Sequence, residues 1–301
     1  MRTILGVILA TCYGRRRMKI VLIVTIVLAV LAPGCGGGGS SDGKVAVVGA
    51  FYPLAEVARK VGGDRVTVRD LTPAGAEPHD LELTSDDVDH LIDAALVVQM
   101  GRGFQPAVED VAADREGATI TVLQGDVADP HVWLDPTQLA EIVALVADGL
   151  TKVDPAGSAA YEANAAAYAT ELARLDAEME AGLSTCRRTE IVTAHAAFGW
   201  LATRYGLRQE AIAGLSPDQE PDPKRLSELA DLVRSDGVTT IFTETLVSPD
   251  VARALARETG VETAVLNALE GLSKDEVAAG DDYVSVMRAN LATLREALAC
   301  T

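Results

Sequence analysis

Aromatic residues make up only 4% of this 301-residue chain, and cysteine and histidine occur four times each. Four cysteines are too few to staple a small disulfide scaffold, so the fold must rest on an ordinary apolar core. Basic residues are short as well: 26 Lys and Arg stand against 44 Asp and Glu, a formal charge of −18. Nucleic acid is a poor partner for such a chain, because phosphates need a basic face. A cation is acceptable, although most of the excess acid reads as solvated surface. Signatures of common hydrolases are missing: there is no His-Glu-x-x-His helix, and the Gly-x-Ser-x-Gly run at 39–43 lies in a Gly/Ser stretch rather than at a strand-to-helix elbow. What is present is 49% hydrophobic residues, enough for a sizeable core and, by length, about two domains.

Residues 1–35 hold five basic residues (Arg2, Arg15, Arg16, Arg17, Lys19) and no acidic one. The apolar run Ile20 to Ala32 spans about 20 Å, short of the ~30 Å hydrocarbon core, and so reads as the apolar part of a signal peptide. It ends at Pro33-Gly34-Cys35, and residues 36–43 form a Gly/Ser tether with no side chains to pack. A cysteine in this position resembles the lipobox of bacterial lipoproteins, which implies that Cys35 is acylated. Ala32 stands where that motif usually has Leu, and ordinary cleavage nearby is the alternative. Met18-Lys19 before the run makes a second candidate start. Export implies an oxidising setting in which Cys186 and Cys300 pair, with two buried free thiols as the alternative.

From Lys44 onward, short apolar strands alternate with helices of about ten residues, the pattern of a parallel sheet covered on both faces. Strands are expected at 44–49, 65–71, 95–100 and 118–123. Pro136 to Leu150 reads as a helix with Leu139, Ile142, Val143, Val146 and Leu150 on one stripe. Pro155 to Leu183 reads as one helix of roughly 43 Å, longer than a lobe is wide. The alternation then resumes, with strands expected at 190–193, 208–213, 239–243 and 262–266. The expected fold is α/β: an N-terminal lobe over 44–153, a connecting helix over 154–184 and a C-terminal lobe over 185–301.

Three of the four histidines follow strands. His79 lies beyond the strand ending at Leu71, His131 beyond the one ending at Leu123, and His195 beyond Glu190–Thr193. Ligands bind open parallel sheets beyond the carboxyl ends of the strands, so these three can converge on a cleft between the lobes. Neutral imidazole is a preferred zinc ligand. His90, mid-helix among aspartates, reads as solvated.

These features resemble the zinc/manganese solute-binding proteins of bacterial ABC transporters over about residues 44–300. The resemblance is carried by Phe51-Tyr52-Pro53-Leu54, Glu77-Pro78-His79-Asp80, His131-Val132-Trp133-Leu134-Asp135-Pro136, Ala194-His195-Ala196-Ala197-Phe198, Phe242-Thr243-Glu244 and Tyr283 with Met287 and Asn290. It implies two α/β lobes joined by a rigid helix, one metal held between them by His79, His131 and His195, and delivery to a permease. It also implies lipid tethering outside the cytoplasm. We expect a monomer without catalytic activity. The family's fourth ligand is usually an acid after the last strand, but Asn267 stands there. Glu244 is then the fourth ligand or the group behind a ligating histidine, with Asn267 or a water as alternatives. Asp80 and Asp135 are candidates to steady imidazole N–H groups, and Asp135 is equally suited to start a helix. Three histidines favour zinc, while manganese, also compatible, draws more carboxylate oxygen. The His-rich loop common in zinc members is absent from Gly125 to Asp129. The competing reading is an exported zinc hydrolase with a water in the fourth place and Glu244 as base.

Overall fold

The computed structural model describes residues 43–219 and 221–301; the expected signal peptide, Cys35 and all of the tether but Gly43 lie outside them. Strands β1 (Val45–Gly49), β2 (Val66–Asp70), β3 (Leu96–Gln99) and β4 (Ala118–Thr121) form a wholly parallel sheet in the order β2-β1-β3-β4. Strands β5 (Glu190–Thr193), β6 (Arg208–Ala211), β7 (Thr240–Thr243) and β8 (Glu262–Val265) repeat that topology as β6-β5-β7-β8. Parallel neighbours require crossovers, and helices supply them. In the first lobe these are α1 (Tyr52–Gly62), α2 (Ser85–Asp93) and α3 (Pro106–Asp114). Val47, Val48, Leu96, Val97 and Val98 are buried, as expected for strands covered on both faces. Gly49 is obligatory where β1 turns into α1, since a Cβ there would lie 2.5 Å from the Ala55 backbone.

Two helices then lead out of the first lobe. In α4 (Pro136–Val153) the Asp135 carboxylate accepts the Thr137 N–H at 2.8 Å and caps the first turn, and the expected apolar stripe is buried. The long helix α5 (Ser158–Leu183) starts after a separate 3-10 turn at Pro155–Gly157, three residues later than expected. Its 26 residues reach roughly 39 Å. It buries Tyr161, Tyr168, Leu172, Leu175, Met179 and Leu183 along one stripe. The second lobe adds α6 (Gly199–Arg204), α7 (Pro223–Ser235), α8 (Asp250–Thr259), α9 (Lys274–Ala279) and α10 (Tyr283–Ala297). The short α9 was not expected, although Ser273 and Glu276 form a capping box and Gly280 ends it in the left-handed conformation.

The lobes share a core. One cluster of buried side chains runs from Val47 and Leu96 in the first sheet through Leu172 and Met179 of α5 to Ile191, Phe198, Phe242 and Tyr283 in the second lobe. A smaller cluster, including Val192, Leu229 and Ile241, covers the other face of the second sheet. Separating the lobes would expose the shared cluster to water, so the hydrophobic effect resists opening. Among the described residues, no helix is long and apolar enough to cross a membrane.

A disulfide joins Cys186, just after α5, to Cys300 at a sequence separation of 114, and so closes the second lobe on itself. In the chain-entropy model a loop of that length is worth about 5 kcal/mol. Cys186→Ser with Cys300→Ser should therefore lower the unfolding free energy by up to about 5 kcal/mol in a denaturant titration; a change under about 1 kcal/mol would deny the bridge that role.

Candidate metal centre

Loops beyond the carboxyl ends of the strands meet where the two lobes face each other. His79 comes from the loop after β2, His131 from the segment between β4 and α4, and His195 from the turn after β5. The structure brings all three together. Their Nε2 atoms lie 3.3, 3.1 and 3.2 Å from a single oxygen, Oε1 of Glu270. Glu270 lies in the loop after β8, is 2% exposed, and was not named among the expected ligands. The four donor atoms lie within 4.8 Å of one another, and no other such group of three or more occurs among the described residues. Four ligands at 2.0–2.1 Å from a tetrahedral zinc would stand about 3.3–3.4 Å apart, close to the observed nitrogen–oxygen spacings.

Both candidates for the fourth place serve elsewhere. Glu244 does not join the donor cluster. Its Oε1 accepts from Nδ1 of His195 at 2.8 Å and from the His195 N–H at 3.2 Å, which leaves Nε2 of that ring facing Glu270. Asn267 is used up by its own loop and by the two helices that follow. Its Oδ1 accepts the Leu269 N–H at 2.7 Å, its Nδ2 donates to Glu276 at 2.8 Å, and its backbone pairs with the Asn290 amide. Leu269 follows with φ 54°, a left-handed turn that redirects the chain into Glu270.

The groups behind the imidazoles also differ from expectation. Asp129, rather than Asp80 or Asp135, accepts from Nδ1 of His131 at 2.7 Å. Asp80 is exposed and faces Asp218, and Asp135 caps α4. Phe104 and Trp133 wall the site, with their rings 4.5 Å from His79 and 5.1 Å from His131 between centroids. His131 and His195 are fully buried, whereas His79 borders a cavity of about 270 Å³ that is also lined by Phe104 and Leu123 of the first lobe and Leu215 and Gln219 of the second.

Comparison with known proteins agrees with this geometry. The family model described as the periplasmic component A of the zinc-uptake complex, ZnuA, matches residues 47–297. The chain belongs to the ZnuA family. It is 33% identical to the high-affinity zinc uptake system protein ZnuA of Bacillus subtilis (strain 168), over 92% of this chain and 97% of that protein. It is 35% identical to the zinc-binding lipoprotein AdcA of Streptococcus pneumoniae serotype 4 (strain ATCC BAA-334 / TIGR4), over 92% of this chain but 60% of that protein. Against AdcA of Streptococcus pyogenes serotype M18 (strain MGAS8232), at 37% identity, it spans 56% of the relative's length. The crystal structure of the Zn(II)-bound ZnuA-like domain of Streptococcus pneumoniae AdcA superposes with a TM-score of 0.74 at 38% identity, covering 85% of this chain and 99% of that one.

The electrostatics of this ZnuA-family site follow from burial and contact. Burial alone would push Glu270 up, but hydrogen bonds from His131, His195 and His79 reverse the effect and hold it well below the ordinary carboxylate range. Burial pulls both inner imidazoles down, yet Asp129 with Glu270 outweighs it at His131. At His195 the Glu244 and Glu270 carboxylates raise the pKa to about 10. Burial and the nearby Glu270 push Glu77, whose carboxylate accepts the His79 N–H at 3.0 Å, up to about 8.

Stability of the metal-free protein is linked to these protons. His195 holds its proton more tightly folded than unfolded, so its contribution is full below about 6.5 and lost as pH rises through about 10. Glu270 is depressed, so its contribution is full above about 4.5 and lost as pH falls through its lowered value. Zinc needs neutral imidazole and competes with the same protons. The rise in Tm on adding zinc should therefore grow from about pH 6 to about pH 9 in thermal scans; a rise that shrinks over that range would contradict the role given to His195.

Proposed function

We propose that this protein captures zinc outside the cytoplasm and hands it to an ABC permease, with His79, His131, His195 and Glu270 as ligands. One observation carries the reading: three imidazole nitrogens converge on one carboxylate oxygen at the spacing of a tetrahedral zinc site. Three nitrogens and a single carboxylate suit zinc better than manganese, which favours more oxygen ligands. Membership of the ZnuA family, with relatives named for zinc binding and zinc uptake, supports the same cargo. A lipoprotein-type signal peptide over 1–35 would direct export, and lipid attachment at Cys35 with a tether over 36–43 would hold a monomeric binding protein at the membrane surface, as the name lipoprotein on one relative supports.

Four protein donors leave no open position, the arrangement of sites that hold a metal rather than use it. The hydrolase reading needs a water where Glu270 stands and a free base where Glu244 is bound to His195. Neither is available, which favours capture without catalysis. In the binding step zinc displaces the imidazole protons, and the carboxylates of Asp129 and Glu244 orient the His131 and His195 rings with Nε2 toward the ion.

Metal analysis and zinc titration of the purified protein test this. We expect one zinc per chain, with zinc bound more tightly than manganese. Glu244→Ala should weaken zinc by about 10–100-fold, the usual cost of removing a group behind a ligand, and His131→Ala or Glu270→Ala by more. A stoichiometry far from one, or an unaffected His131→Ala, would overturn the assignment.

A further inference from the structure

The loops that carry His131 and Glu270 are hydrogen-bonded to each other across the lobes. Trp133, two residues after His131 and fully buried, donates from Nε1 to the Ala268 carbonyl at 2.8 Å, and Ala268 lies two residues before Glu270. Tyr283, the first residue of α10 and also fully buried, donates its hydroxyl to the Trp133 carbonyl at 2.6 Å. The Tyr283 N–H in turn donates to the Glu56 carboxylate, at 3.2 Å to Oε1 and 3.3 Å to Oε2. Glu56 belongs to α1 of the first lobe and is 6% exposed. A buried carboxylate of one lobe thus accepts the first N–H of a helix in the other, beside the Asp282 cap, where the helix dipole favours negative charge. The hydroxyls of Tyr52 and Tyr168 hold that carboxylate from α1 and α5.

These bonds do something the shared apolar core cannot. Hydrophobic contact holds the lobes together but has no direction, so it tolerates sliding. A hydroxyl and an indole N–H each have one direction, and together they set the separation of two loops from different lobes. A functional constellation must be held within about 0.5 Å to work, and His131 Nε2 must keep its place beside Glu270 Oε1. We infer that Glu56, Tyr283 and Trp133 form a positioning clamp that fixes the His131 loop against the Glu270 loop and thereby sets how long zinc stays bound. None of the three touches the metal; each acts through the loops. The inference rests on the zinc-capture reading above.

The test compares zinc dissociation into excess chelator, the visible absorption of the cobalt(II)-loaded protein, and thermal unfolding without metal. Tyr283→Phe removes one hydroxyl and should speed zinc loss about five- to tenfold, in line with the loss of one buried hydrogen bond. It should also weaken the visible band of four-coordinate cobalt(II), because Glu270 drifts out of place. Glu56→Gln, which keeps an acceptor but removes the charge, should speed zinc loss about two- to threefold and stands in if the first variant fails to fold. Tyr161→Phe is the control. Tyr161 is equally buried, and its hydroxyl bonds Asp154 at 2.6 Å and no residue of the site. It should lower the unfolding temperature while leaving zinc loss and the cobalt spectrum unchanged. Wild-type zinc loss in both clamp variants, or equal acceleration in Tyr161→Phe, overturns the clamp. A wild-type protein that takes up no zinc overturns the capture reading first and the clamp with it.

Discussion

The arrangement around Oε1 of Glu270 is the constraint to which the rest of the structure answers. Three imidazole nitrogens face one buried carboxylate oxygen in a pocket walled by Phe104 and Trp133. Polar groups so placed are costly unless each has a partner, and an ionised carboxylate costs most. Each of these groups is a partner of the others, so moving any one strands the rest. That mutual dependence explains the carboxylates behind the rings. Asp129 and Glu244 take the second nitrogens of His131 and His195, so that neither buried ring has a nitrogen without a partner.

The fold brings these groups together cheaply because parallel sheets put all their strand ends on one side. Both lobes use the same strand order, and the loops after β2, β4, β5 and β8 supply one donor each. No donor has to be carried on a long excursion. The long helix α5 and the shared core then hold the two sets of loops face to face. Lobe opening would expose that core to water, which the hydrophobic effect resists. Among the donors, His79 borders a cavity, whereas His131, His195 and Glu270 are buried.

The architecture was legible because periodicity is local. Buried runs such as Val45–Gly49, and the stripe from Leu139 to Leu150, report their own conformation. The three histidines were legible for a related reason: a residue placed just after a strand inherits the sheet's geometry. Glu270 was not, because its position depends on events inside its loop. Asn267 binds the Leu269 N–H, Leu269 takes a left-handed φ of 54°, and only then does Glu270 turn inward. A left-handed leucine is invisible to pattern reasoning, which expects glycine or asparagine there. The acid behind His131 was missed for the opposite reason. Asp80 and Asp135 follow their histidines in the motifs, whereas Asp129, two residues before His131, folds back onto its ring. Only the acids that follow the histidines were considered, and the turn in which Asp129 accepts the His131 N–H is not visible in the motif.

Protons bear on the site as geometry does. Hydrogen bonds from three histidines hold Glu270 in its ionised form, whereas burial pushes Glu244 up against the pull of His195. In the metal-free site the two carboxylates are why His195 holds its proton so firmly. Removing Glu244 therefore alters two things together, the orientation of His195 and the carboxylate that raises its pKa. Replacing it by glutamine keeps an acceptor for the ring and removes only the charge, so the two variants divide the contribution of Glu244 between direction and electrostatics.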